Sequence, residues 1–148
     1  MKLADALRTV QRLFLDTAPV IYYVERHPQY LALVDDIFDR IDAGTLLAVT
    51  SPITLVETLV VPCRLGQVSV KQDFTDLIVS GQGITFVQLE AAIARRAAEI
   101  RASYNLSLAD ACQVATAVAA GCHALLTNDA GLKRVQEITI LVLDELEV

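Results

Sequence analysis

The chain has 148 residues, 54% of them hydrophobic, and a net charge of −6. That size fits one domain able to bury roughly 70% of its unfolded surface without covalent staples, and that apolar content excludes a disordered chain. The acidic balance lacks the basic footprint expected of a nucleic-acid binder, and no apolar run approaches the ~20 residues of a membrane span.

The N-terminus does not read as a signal peptide, because Asp5, Arg8 and Arg12 interrupt any apolar h-region. Cys63, Cys112 and Cys122 form no Cys-x-x-Cys pair and read as reduced thiols. A soluble, cytoplasmic protein is expected.

In chain order, Leu3, Leu7 and Val10 line one side of an amphipathic helix predicted over 3–11. Leu13-Phe14-Leu15 is the first strand, ended by Asp16-Thr17-Ala18-Pro19, which can open a helix. Leu31, Val34, Ile37, Phe38 and Ile41 mark a helix over 29–43, stopped by Gly44. Residues 46–49 are the second strand. Ser51-Pro52 then caps and starts a helix running to about Gly66, with Pro62 expected to kink it. A helix over 69–80 ends at Gly81-Gln82-Gly83, before a third strand at 84–87.

Helices over 90–104 and 107–120 follow, then a fourth strand at 124–126, a short helix at 129–135 and a fifth strand at 138–142. Alternating strands and helices imply an α/β fold with a parallel sheet and right-handed crossovers. The strands read as continuous apolar runs, as expected of a sheet covered on both faces.

Four acids stand in or directly after apolar sequence: Asp16, Glu57, Asp110 and Asp129. A carboxylate in such surroundings is costly to bury unless something positive meets it, and ligands of parallel sheets bind beyond the carboxyl ends of the strands. Each acid also has a local reading. Asp16 fits a turn or cap, Thr54-x-x-Glu57 and Ser107-x-x-Asp110 fit capping boxes, and Asp129 fits the cap of the 129–135 helix. Glu57 lies well inside the helix that Ser51 starts, among apolar neighbours, so a partner for its charge is expected. Taken together, four acids suggest a site for a hard divalent cation and metal-dependent phosphodiester chemistry.

The stretches Phe14-Leu15-Asp16-Thr17, Ser51-Pro52-Ile53-Thr54-Leu55-Val56-Glu57, Leu106-Ser107-Leu108-Ala109-Asp110-Ala111 and Leu126-Thr127-Asn128-Asp129 resemble the PIN-domain family, and within it the VapC-like toxins of bacterial toxin–antitoxin pairs. The resemblance spans Leu13 to Val142. It implies a single PIN-like, Rossmann-like three-layer domain over 1–148, with about five parallel strands and with 1–12 as an N-terminal helical extension. It also implies Mg²⁺ or Mn²⁺, single-strand endoribonuclease activity, a homodimer and a cognate antitoxin. Position by position, Asp16, Glu57, Asp110 and Asp129 match the acidic quartet, and Thr127 the hydroxyl residue of the last motif. Ala18 departs from the pattern, standing where many relatives carry Asn.

Oxygen-only ligands select Mg²⁺ or Mn²⁺, and neither His27 nor His123 sits in a zinc motif. Asp16, Asp110 and Asp129 are the expected metal ligands, with Glu57 holding or deprotonating the attacking water. Thr17 and Thr127 are expected to orient carboxylates or cap turns. Arg64, Arg95, Arg96, Arg101 and Lys133 are candidates for phosphate contact, with a solvated helix face the alternative for the arginines at 95, 96 and 101. Bound cations would reverse the local field of an acidic chain. The rival readings are a catalytically inactive partner-binding module and a PIN nuclease that processes RNA without being a toxin.

Overall fold

The apolar runs become five strands: β1 (Arg12–Leu15), β2 (Leu47–Thr50), β3 (Ile84–Phe86), β4 (Ala124–Thr127) and β5 (Thr139–Val142). The computed structural model describes residues 1–148. All neighbouring strands pair in parallel, in the order β3-β2-β1-β4-β5. Seven helices flank the sheet: α1 (Leu3–Ala6), α2 (Thr17–Val24), α3 (Leu31–Asp42), α4 (Pro52–Leu65), α5 (Val68–Ser80), α6 (Ala91–Tyr104) and α7 (Leu108–Ala119). The expected three-layer α/β architecture is the one found.

Alternation of side chains along each strand splits the core in two. Leu13, Leu15, Ala48 and Leu126 enter a 19-residue core shared with Val34 and Ile37 of α3 and Phe74 of α5. Phe14, Val49 and Leu125 point the other way, into a 14-residue core shared with Ile100 of α6 and Val114 of α7. Both faces are therefore dry, which explains why the strands lack polar alternation.

Local signals set the helix ends. Ser51 caps α4 by accepting from the Ile53 and Thr54 amides, and Gly66 closes it in the left-handed conformation at φ 65°. The helix continues across Pro62, which lies one turn from its end. Two expectations are corrected. The predicted helix over 3–11 is a single turn followed by a turn at 7–9. Leu3, Leu7 and Val10 are still all buried, because the segment has to feed β1 at Arg12. The predicted helix over 129–135 is a 3₁₀ turn, Ala130–Arg134, entered from the extended backbone of Asp129. A further 3₁₀ turn, Leu143–Glu145, follows β5. No helix is long and apolar enough to cross a membrane.

Phe74 is wholly buried where α5 meets the first core. Phe74→Ala should destabilise the protein by about 3–5 kcal/mol, read as a lower urea midpoint with an unchanged slope; a loss under about 1 kcal/mol would mean the core refills.

Candidate active site

The chain steps outward from β1 to β2 and β3, then returns to the other side of β1 as β4 and β5. Strand order thus reverses between β1 and β4, and such a reversal opens a crevice at the carboxyl ends. Leu15 and Leu126 are paired there, and the Asp16 amide donates to the Leu126 carbonyl at 3.0 Å. Asp16 and Thr127 therefore stand side by side at the mouth of the crevice.

Asp16 caps α2, its Oδ1 accepting from the Thr17 amide at 2.8 Å. Thr127 Oγ1 donates to Asp16 Oδ2 at 2.8 Å and accepts from the Asp129 amide at 3.1 Å. One hydroxyl thus joins two of the acids. Asp129 also caps the following 3₁₀ turn through the Gly131 amide, so its local role and its place at the crevice coexist.

Glu57 reaches the same place from α4. Thr17 Oγ1 donates to Glu57 Oε1 at 2.7 Å. Its surroundings correct the expectation of an apolar enclosure: Glu57 is exposed, and Val56, Val60 and Val61 beside it are 60%, 38% and 53% exposed. Helix α4 buries only Thr54, Thr58 and Pro62, and turns its valine-rich side outward.

Asp110 stands on the first turn of α7, which Ser107 Oγ caps by accepting from the Asp110 amide at 3.1 Å. Residues 111–117 are all buried, so α7 is held rigidly while Asp110 stays partly open.

Burial is the main cause raising the Asp16 carboxyl above its ordinary value. The Thr17 amide and the Thr127 and Gln113 side chains work against the rise, and the charge of Glu57 adds to it. Burial likewise raises Asp110, opposed by Ser107 and reinforced by the charges of Asp16 and Asp129. The four acids thus feel one another.

None of the ion pairs in the structure involves them. No three Asp, Glu, His or Cys side chains stand close enough together to cage a metal ion. In donor chemistry the set nevertheless fits a hard cation: it is all oxygen, it lacks a cationic side chain, and Asp16 Oδ2 accepts only one hydrogen bond.

The basic candidates are scattered. Arg64 and Arg95 are exposed without ion pairs, whereas Arg96 pairs with Glu99 at 2.8 Å and Lys133 with Glu145 at 2.8 Å. Arg101 Nε donates to the Leu106 carbonyl at 3.2 Å and lines an apolar cavity of about 650 Å³ with Ile53, Leu89 and Leu108. None of the four acids lines that cavity. Ala18 offers no donor, but sequence reasoning missed Gln113, which is 1% exposed and donates to Asp16 Oδ1 at 3.4 Å. Its signal was present: a lone amide in an apolar helix, three residues after Asp110.

The raised carboxyl of Asp16 makes the folded protein hold protons more tightly than the unfolded chain. Its stabilisation is full below the unfolded value of 3.8 and is lost as pH rises through the folded value. In EDTA, Asp16→Asn should therefore melt above wild type at pH 7, with the gap closing below pH 3.8. Equal melting temperatures at both pH values would show that burying this charge is free.

No curated protein sequence matches the chain. Its fold is similar to VapBC2 from Rickettsia felis bound to a promoter DNA fragment, with TM-score 0.69, 17% identity, and 88% of this chain and 98% of that one covered. It is also similar to VapC20 of Mycobacterium tuberculosis, described as a sarcin-ricin loop cleaving toxin, with TM-score 0.67, 16% identity, and coverage of 86% and 98%. A toxin–antitoxin complex from Klebsiella pneumoniae gives TM-score 0.66, 19% identity, and coverage of 88% and 97%. At these identities the likeness speaks for the fold. The family model for the PIN domain matches residues 13–138, most of the chain and all four acids, and the protein belongs to the PIN domain family.

Proposed function

We propose that this PIN domain is a Mg²⁺- or Mn²⁺-dependent endoribonuclease and the toxin of a toxin–antitoxin pair. The observation that carries the reading is Asp16: a carboxylate 9% exposed, with no cationic side chain paired to it, at the strand-order reversal and electrostatically coupled to Glu57 and Asp110. An arrangement that raises carboxyls against one another is unfavourable for the fold alone, and it is a mark of a site built for a ligand.

Asp16, Asp110 and Asp129 would hold the cation. When bound, it supplies positive charge against the phosphate and lowers the pKa of the attacking water. Glu57 is open to solvent and held by Thr17, and takes the proton from that water. Thr127 keeps Asp16 and Asp129 in register. Arg64 and Arg95 are free of ion pairs and serve as phosphate contacts, while Arg96 and Lys133 exchange exposed ion pairs, which are worth little, for the same purpose. Arg101, which lines the apolar cavity, is the remaining candidate for phosphate contact.

The toxin assignment draws on the solved toxin–antitoxin proteins whose fold this chain shares. The outward Val56, Val60 and Val61 of α4, with Leu65 at its end, give an apolar surface suited to a protein partner; we assign it to a homodimer and an antitoxin. Three unpaired cysteines accord with a reducing cytoplasm.

The first test is thermal melting with and without Mn²⁺, for wild type and Asp110→Asn. Mn²⁺ at a hundred times its dissociation constant should stabilise wild type by about 2.7 kcal/mol and leave the variant unmoved. No response of the wild type at millimolar Mn²⁺ would sink the metal-dependent reading. On a single-stranded RNA that wild type cleaves, Glu57→Gln should lower kcat by about 10²–10⁴-fold; unchanged kcat would remove Glu57 from the chemistry.

A further inference from the structure

The buried side of α7 is alanine, cysteine and valine except for Thr116 and one amide, Gln113, and the amide's partners lie on two other elements. Ser51 Oγ donates to Gln113 Oε1 at 2.5 Å. Gln113 Nε2 donates to Thr54 Oγ1 at 2.7 Å and to Asp16 Oδ1 at 3.4 Å. Thr54 Oγ1 in turn donates to the Leu15 carbonyl at 3.3 Å, the residue before Asp16. With Asp16 ionised its carboxylate only accepts, so the amide nitrogen faces Asp16.

These bonds land on the supports of three acids. Gln113 lies three residues after Asp110, on the same side of α7. Thr54 lies three residues before Glu57 on α4. Asp16 is touched directly. No buried side-chain polar atom in the protein lacks a partner, so the network is closed. A satisfied buried network specifies one arrangement of the elements it joins. Burial of α7 alone would be served by apolar side chains, such as its buried neighbours Val114 and Ala115.

We propose that Gln113 is a positioning residue for the cation site, setting the spacing between Asp16 just past β1, Glu57 on α4 and Asp110 on α7. The inference rests on the metal-dependent nuclease reading and adds a residue to it.

The test measures Mn²⁺ affinity from the electron paramagnetic resonance signal of free Mn²⁺, alongside melting in EDTA. The variants are Gln113→Leu, Thr54→Val and Thr116→Val. Thr116 is also buried on α7, but its hydroxyl donates to the Cys112 carbonyl of its own helix and touches no acid. Gln113→Leu should weaken Mn²⁺ binding by about 10–100-fold, the usual effect of losing a group that orients a metal ligand. Thr54→Val, which removes an anchor of Gln113 without touching an acid, should weaken it in the same direction and less. Thr116→Val should leave it unchanged, whatever it does to melting.

RNA cleavage by Gln113→Leu should reach half its maximum at a correspondingly higher Mn²⁺ concentration. Should Gln113→Leu fail to fold, Thr54→Val decides. Wild-type Mn²⁺ affinity in the folded variants, with cleavage intact, would overturn the role of Gln113 and leave the nuclease reading standing. No Mn²⁺ binding by wild type would overturn both.

Discussion

The carboxylate of Asp16, taken out of water between β1 and β4, is the constraint around which the rest of the molecule is arranged. It is held by the Thr17 amide, the Thr127 hydroxyl and the Gln113 amide. Each donor comes from a different element, so the carboxylate binds α2, β4 and α7 to the end of β1. The same burial that makes these contacts geometrically firm also raises the carboxyl against ionisation. The fold therefore carries a local instability at the one place where strand order reverses, and a bound cation would relieve it.

Two threonines distribute that constraint to the other acids. Thr17 gives its amide to Asp16 and its hydroxyl to Glu57. Thr127 gives its hydroxyl to Asp16 and accepts the Asp129 amide. Neither residue is charged, yet between them they fix the relation of three carboxylates. The capping and site readings of these residues are the same hydrogen bonds seen from two sides: a carboxylate at a helix start is pre-oriented by the amides it accepts. This is why Asp16 and Asp129 serve local structure and remain available at the crevice.

The acidic balance of the chain sits less awkwardly beside the proposed RNA substrate once charge is located. Asp16 feels the charge of Glu57, and Asp110 the charges of Asp16 and Asp129, and a divalent cation held among them would invert the local field. Several cations elsewhere are occupied by surface acids, as Arg96 is by Glu99 and Lys133 by Glu145. Such exposed pairs are weak.

The pattern of apolar runs, helical spacing and caps announced five strands, six of the seven helices and the parallel sheet, and the four acids stood out by their apolar context, because burial of both sheet faces forces apolar runs and helix caps have their own residue chemistry. It overextended α1, where Leu3, Leu7 and Val10 share a side in a helix and also in a turn. It misjudged Glu57, since a run such as Val56-Glu57-Thr58-Leu59-Val60 does not say which side of α4 faces solvent. It passed over Gln113, whose importance lies in partners 59, 62 and 97 residues away along the chain. Elements and their chemistry are local properties and were written in the sequence. The strand order, the crevice between β1 and β4, and the amide that joins three acid-bearing elements depend on long-range packing, and only the tertiary structure decided them.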